Sequence, residues 1–217
     1  MKLFIFALLA TTSANAFSAT CLYPAAWWKP VPASEAKAWE VLPQDASCEA
    51  GDVILSKRTE LGIFSNYGAT PILFRGVKYA SLEGFWQSLK YPEGPQDPRA
   101  LDTSLTWNYT RAQVAQLTAE EAKKAGDLAN ANMKKMGIAW VTFENERMEY
   151  KAAGQKRHYE IIEAVSRAKV DQNPNVKALL LKTGNLNLRP DHKSETQELP
   201  SYRFYDIYMK IRGELKR

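Results

Sequence analysis

Glu83, Gln87 and Lys90 fall at i, i+4 and i+7 within the stretch Phe64 to Tyr91, FSNYGATPILFRGVKYASLEGFWQSLKY, so a helix there sets an acid, an amide and an amine on one stripe. Leu82, Phe85, Trp86 and Leu89 have the i, i+3, i+4, i+7 spacing of a core-facing stripe beside it. An acid and an amine next to an indole are the ingredients of acid–base and nucleophilic chemistry. Partial burial raises the pKa of Glu83 toward that of a general acid or base. Desolvation against Trp86 lowers that of Lys90 toward a neutral amine able to form an imine with a ring-opened sugar. The same spacing also describes an ordinary solvated face beside a core face, with Trp86, like Phe85, a core residue.

Such a stripe needs a helix, and the flanking sequence provides its limits. Ile72-Leu73-Phe74, a turn at Arg75-Gly76 and Val77-Lys78-Tyr79 make a hairpin that leads into it. Ser81 caps it, Glu83 sits in the first turn where the macrodipole favours a carboxylate, and the run Pro92 to Pro98 ends it. Upstream, Asp52 to Ser56 reads as a buried strand, and Asn66 suits a loop in which a short polar side chain bonds its own backbone. Downstream, Trp107 to Gly137 reads as two helices, because Thr110-x-x-Gln113 and Thr118-x-x-Glu121 each fit a capping box. Trp140 to Tyr150 is a strand or an extended link. Helices follow over Arg157 to Val170, from Pro174 to a stop at Thr183-Gly184, and over Phe204 to Lys216.

Several of these residues recur as an ordered pattern. Ser65-Asn66-Tyr67, Gly76-Val77-Lys78-Tyr79, Ser81-Leu82-Glu83 and Gln87-x-x-Lys90-Tyr91 resemble the "LSNF … DGxxYPSVEHxxQxxKF" pattern of the NADAR (YbiA-like) superfamily. Lys169-Val170-x-Gln172-Asn173-Pro174 with Leu179-Leu180-Leu181-Lys182-Thr183-Gly184 resembles that family's "KFxQNPxLxxxLLxTG" segment. The resemblance implies a mainly helical single-domain α+β fold with a small β-hairpin or sheet. It also implies cleavage of an N-glycosidic bond to ribose, in ADP-ribosylated bases or nucleotides or in early riboflavin intermediates. On it, Glu83 and Lys90 are the catalytic pair, and Ser65, Asn66, Tyr67, Trp86, Gln87, Thr183 and Gly184 line the ligand; Asp191 and His192 join the ligand-lining candidates on their own residue types. Two departures bear on the chemistry: Gly84 stands where the pattern has His, and Pro190-Asp191-His192 replaces a tryptophan-glycine pair. Asp191 and His192 read either as a loop turn or as a pair in which His192 bonds a phosphate or ribose hydroxyl.

The chain has 217 residues, enough for one sizeable core. Met1 to Ala16 carries Lys2, the apolar run LFIFALLA and a small-residue ending, which reads as a secretory signal cleaved after Ala16; an uncleaved anchor is the alternative. Residues 17–51 then form an extension rich in Ala, Pro and Trp, and 52–217 the NADAR-like domain. The extension lays its tryptophans on that domain or serves as a lid. Cys21 and Cys48 pair most simply as a disulfide in a secreted or periplasmic protein, against free thiols or a redox pair that would lack Cys-x-x-Cys spacing. Asn108-Tyr109-Thr110 matches a glycosylation acceptor, of consequence only on a eukaryotic secretory route.

The net charge of +5 is spread along the chain, which suits a phosphorylated small molecule and gives no strong nucleic-acid stripe. With His158 and His192 the sole histidines and no carboxylates at ligand spacing, no metal site or cofactor is expected. After signal cleavage no membrane span remains, and no pattern specifies an oligomeric state. Two function classes stay open: an exported N-glycosidase, and a non-catalytic ADP-ribose or nucleotide-binding module that kept the pocket. Glu83 and Lys90 favour the first and Gly84 the second.

Overall fold

The structure, a computed structural model, describes residues 21–151, 156–193 and 199–217. The signal reading of Met1 to Ala16 lies outside them. The chain is mainly helical with small sheets, as the α+β expectation had it. Strand β1 (Asp52–Ile54) leads through a 3-10 turn (Glu60–Phe64) to a hairpin of β2 (Ile72–Phe74) and β3 (Val77–Tyr79). Helix α1 (Leu82–Ser88) follows directly. After it come α2 (Pro98–Leu101), α3 (Arg111–Ala115), α4 (Ala119–Lys135), the hairpin β4 (Trp140–Phe143) and β5 (Glu146–Glu149), α5 (Lys156–Gln172), α6 (Pro174–Lys182), β6 (Asn187–Arg189) and α7 (Phe204–Leu215).

Local chemistry explains most of these limits. Arg75 and Gly76 take φ of 50° and 78°, and Glu144 and Asn145 take 53° and 61°, so both hairpins close through two left-handed residues whose twist matches the strands. Ser81 Oγ accepts from the Gly84 N–H at 2.9 Å, the expected cap of α1. The Thr110–Gln113 capping box is formed, whereas Thr118 makes no side-chain cap bond. Its successor Ala119 has a left-handed φ of 47°, which turns the backbone away from capping geometry. Trp107 to Tyr109 also lie outside α3, so the helical stretch begins later than its sequence suggested. Helix α4 ends on Gly137 with a Schellman pair, Ile138 N–H to Met133 O and Gly137 N–H to Lys134 O.

One pairing had no sequence signal. β1 runs parallel to β6, with Val53 opposite Leu188, and an Asp52–Arg189 ion pair at 2.8 Å closes its end. Three residues per strand are too few for a periodic pattern. The core lies between this pair, α1, α5, α6 and α7, and contains Phe64, Phe85, Leu89, Val165, Ile207 and Tyr208.

Residues 21–51 belong to the same core. Trp27 is fully buried and its indole N–H donates to Glu60 at 2.8 Å; that of Trp28 donates to the Asp52 carbonyl at 3.0 Å. Cys21 and Cys48 form a disulfide across the segment. Trp27 and Trp28 therefore lie on the domain, as read from the sequence, while Trp39 stays 53% exposed.

Candidate functional site

Helix α1 presents Glu83 and Gln87 along one side and stops at Ser88, short of the expected end at Pro92, so Lys90 follows in a turn, its N–H donating to the Gln87 carbonyl at 3.2 Å. That side is closed rather than solvated, with Glu83 and Lys90 each only 6% exposed. The ordinary charged-face reading is thereby corrected. The cause is α4, which packs against α1 and covers its polar stripe. Gly126 of α4 makes the close approach possible, because a side-chain carbon there would overlap the Gln87 amide. Gly84 serves the other flank. A Cβ at that position would come within 2.5 Å of the Leu117 carbonyl oxygen, so no larger residue fits without moving the corner between α3 and α4.

Gln87 Nε2 donates to Glu83 Oε1 at 2.7 Å, and the backbone N–H of Glu83 donates to the Asn66 carbonyl at 2.9 Å. Burial pushes the Glu83 carboxyl above its ordinary range, against the opposing effects of the Gln87 bond and the Lys90 charge. Burial likewise brings the Lys90 amine down to about 8, with the negative charge of Glu83 holding it from falling further. The Lys90 ammonium lies 5.5 Å from the Trp86 ring centroid. Trp86 is half-buried rather than pure core, and packs on Tyr150 and His158 at 5.2 and 4.8 Å between centroids. The arrangement offers a carboxyl whose proton burial makes harder to lose and an amine whose proton burial makes easier to lose, beside a flat ring.

The Ser65-Asn66-Tyr67 loop closes the next side. Ser65 Oγ accepts from the Tyr67 N–H at 3.2 Å, so the turn is shaped by Ser65, and Asn66 contributes through its carbonyl rather than through the expected side-chain bond. From α5 the fully buried Lys169 donates to the Ser65 carbonyl at 2.8 Å. The Tyr67 phenol is pushed up to about 12, first by burial and then by the charges of Glu83, Glu120, Asp127 and Asp191. Tyr67 thus stands between the α1 stripe and a second group. There Asp191 is buried and accepts from Lys57 Nζ at 2.6 Å; Nδ1 of His192 lies 3.3 Å from its other oxygen. Burial opposes the Asp191 charge, yet the bonds from His192 and Lys57 outweigh it and hold the carboxyl below its ordinary range.

The remaining two sequence candidates, Thr183 and Gly184, sit at the end of α6 among other partners. Thr183 Oγ1 donates to the Leu180 carbonyl at 2.6 Å and accepts from Arg212 at 2.7 Å, while the Gly184 carbonyl accepts from Lys216. Their neighbours are Arg212 of α7, Lys216 just after it and the Tyr23 phenol, separate from those of Glu83 and Lys90.

Comparison of the whole chain with solved structures finds one likeness to report. The fold is similar to the NMR structure of the E. coli protein YbiA. The TM-score is 0.46 at 19% identity, over 76% of this chain and 86% of that one. No family model and no curated protein matches the chain.

Two side chains around the site, Lys57 and Lys169, had no assigned role in the sequence reading. Lys57 follows a buried strand as one of an adjacent Lys57-Arg58 pair, and its 5.6 Å approach to the Tyr67 ring depends on a fold that brings residue 191 to it. Lys169 was visible only as part of a motif; a lysine on the Ile161, Ile162, Val165 side of an amphipathic helix is the signal that marks it as buried.

Proposed function

We propose that this protein is a hydrolase that cleaves an N-glycosidic bond to ribose, in an ADP-ribosylated base or nucleotide or a compound of similar build. The observation that carries this reading is the enclosure of Glu83 on α1 and of Lys90 in the turn that follows it, with Gln87 bonded to Glu83 and Trp86 beside Lys90. The ordered motifs around those residues agree with it. In the proposed reaction protonated Glu83 gives its proton to the departing base as the C–N bond breaks. Neutral Lys90 bonds to the anomeric carbon and passes a proton to the Glu83 carboxylate, the sugar ring opens to an imine, and water then adds to release the ribose moiety with its phosphate substituent and restore the amine.

Residues 52–217 form the catalytic domain in this proposal and 17–51 an extension to it, of which 21–51 packs on the domain. The Cys21–Cys48 bridge supports an oxidising compartment, hence a secreted or periplasmic protein. Among the described residues no helix is long and apolar enough to cross a membrane.

A non-catalytic ADP-ribose or nucleotide-binding module is the second reading. Gly84 favours it, since the close packing there excludes the His of the resembling pattern. Turnover of ADP-ribosylated nucleosides by the purified protein, beside a Glu83→Gln control, separates the two. Release of free base by the wild type and not by the variant establishes the hydrolase; tight binding of ADP-ribose without turnover establishes the module.

A further inference from the structure

Trp39 is a large aromatic left 53% exposed on backbone that is pinned from both sides. The Lys193 N–H donates to the Trp39 carbonyl and the Val41 N–H to that of Asp191, each at 3.0 Å, so the segment pairs with the strand-like stretch around His192. Its neighbour Glu40 is gripped by Arg58 through bonds of 2.6 and 2.9 Å. An exposed ring on a mobile loop needs no explanation, but an exposed ring on fixed backbone is a surface prepared in advance, at little ordering cost to a flat partner.

The ring does not stand alone. The Lys57 ammonium lies 5.7 Å from the Trp39 centroid and 5.6 Å from that of Tyr67. Asp191 fixes it there, and among the described residues that carboxylate is its hydrogen-bond partner, which leaves two of the three ammonium donors for an anion. The side chain remains 38% exposed. A line of contacts thus runs from Trp39 through Lys57 to Tyr67, and Tyr67 in turn lies within the field of Glu83.

We infer that Trp39 and Lys57 form a nucleotide subsite at the edge of the candidate site, in which the indole stacks on a heteroaromatic base and the ammonium pairs with the adjoining phosphate. This rests on the reading of Glu83 and Lys90 as the ribose end of the same site. It gives residues 17–51 a part in ligand selection: they carry the platform that recognises the end of the ligand remote from the bond being cleaved. A flat base stacks on an indole whatever its edge pattern, so the subsite selects for nucleotides as a class over simple sugar phosphates.

The test compares the Kd of AMP and of ribose 5-phosphate for the full chain as wild type, Trp39→Ala and Trp39→Phe, by calorimetry. Trp39→Ala should weaken AMP about tenfold, the order of loss on removing one base-stacking ring. It should leave ribose 5-phosphate within about twofold, and Trp39→Phe should recover most of the AMP affinity. An unchanged AMP affinity, an equal loss for both ligands, or no AMP binding by the wild type overturns the subsite. Failure of the hydrolase reading shows separately, as a wild type that binds AMP through Trp39 yet turns over no ribose N-glycoside.

Discussion

Nε2 of Gln87 donates a 2.7 Å hydrogen bond to Oε1 of Glu83, while Oε1 of the same amide is buried without a partner among the described residues. The amide is held there by its close seat on Gly126. Gly126→Ala should therefore force Gln87 off Glu83 as well as overpack α1 on α4. We expect a loss of about 1–3 kcal/mol in stability, read by urea unfolding, with a fall in turnover larger than unfolding explains. A variant as stable and active as wild type would show that the α1–α4 contact is slack.

Lys90→Ala and Glu83→Gln should each lower turnover by at least about two orders of magnitude, as removal of a positioned acid–base group does. Both should still fold, since Gln at position 83 keeps an acceptor for Gln87 and Ala at 90 removes a buried ammonium. Circular dichroism checks the fold. Borohydride added during turnover should trap sugar on Lys90 alone, located by peptide mass mapping.

The charge coupling on α1 predicts a pH signature. Burial sets the Lys90 amine to lose its proton with a midpoint of about 8 in the wild type. Glu83 raises the Lys90 pKa by its negative charge, so Glu83→Gln should move the Lys90 titration to lower pH, followed by NMR. A midpoint unmoved in that variant would mean the two groups do not sense each other.

His158 predicts the acid limit of stability. Burial lowers it to about 4 from an ordinary 6.5, so the unfolded chain takes up a proton at a pH where the folded chain does not. Its contribution is present above pH 6.5 and is lost as pH falls from there toward 4, by up to about 3 kcal/mol. His158→Phe, which keeps a ring against Trp86, should flatten the slope of stability over that range in denaturant titrations.

The Cys21–Cys48 bridge closes a loop with a sequence separation of 27. Reduction should cost roughly 3 to 4 kcal/mol in the chain-entropy model, seen as a lower Tm with reductant and as alkylation of both thiols only after reduction. Thiols that alkylate without reductant would remove the bridge from the account.

The parts legible in sequence were those governed by neighbours. Ser81 as a cap, the Arg75-Gly76 turn, the Thr110–Gln113 box and the break at Asn173-Pro174 each act within a few residues, and each stands in the structure. The 3.6-residue stripe placed Glu83, Gln87 and Lys90 together but could not tell whether water or α4 would face them, because that depends on Gly126, some 40 residues on. Lys57 and Asp191 meet across 134 positions, and no local pattern marks such a pair. Thr118 shows the opposite failure, a local motif overruled by the left-handed turn at Ala119.

The parallel pairing of β1 with β6 also sets an order of assembly. A chain made from its N-terminus exposes Asp52–Ile54 long before Asn187–Arg189 exists, so the earliest strand must wait for nearly the latest. Closing so wide a loop is slow compared with forming α4 or α5. While it waits, the nascent chain holds Val53, Ile54 and Leu55 unpaired, a short apolar edge that a holding chaperone can grip. Truncation before Asn187 should leave ribosome-bound chains protease-sensitive throughout the first half, with protection appearing in one step once β6 has emerged.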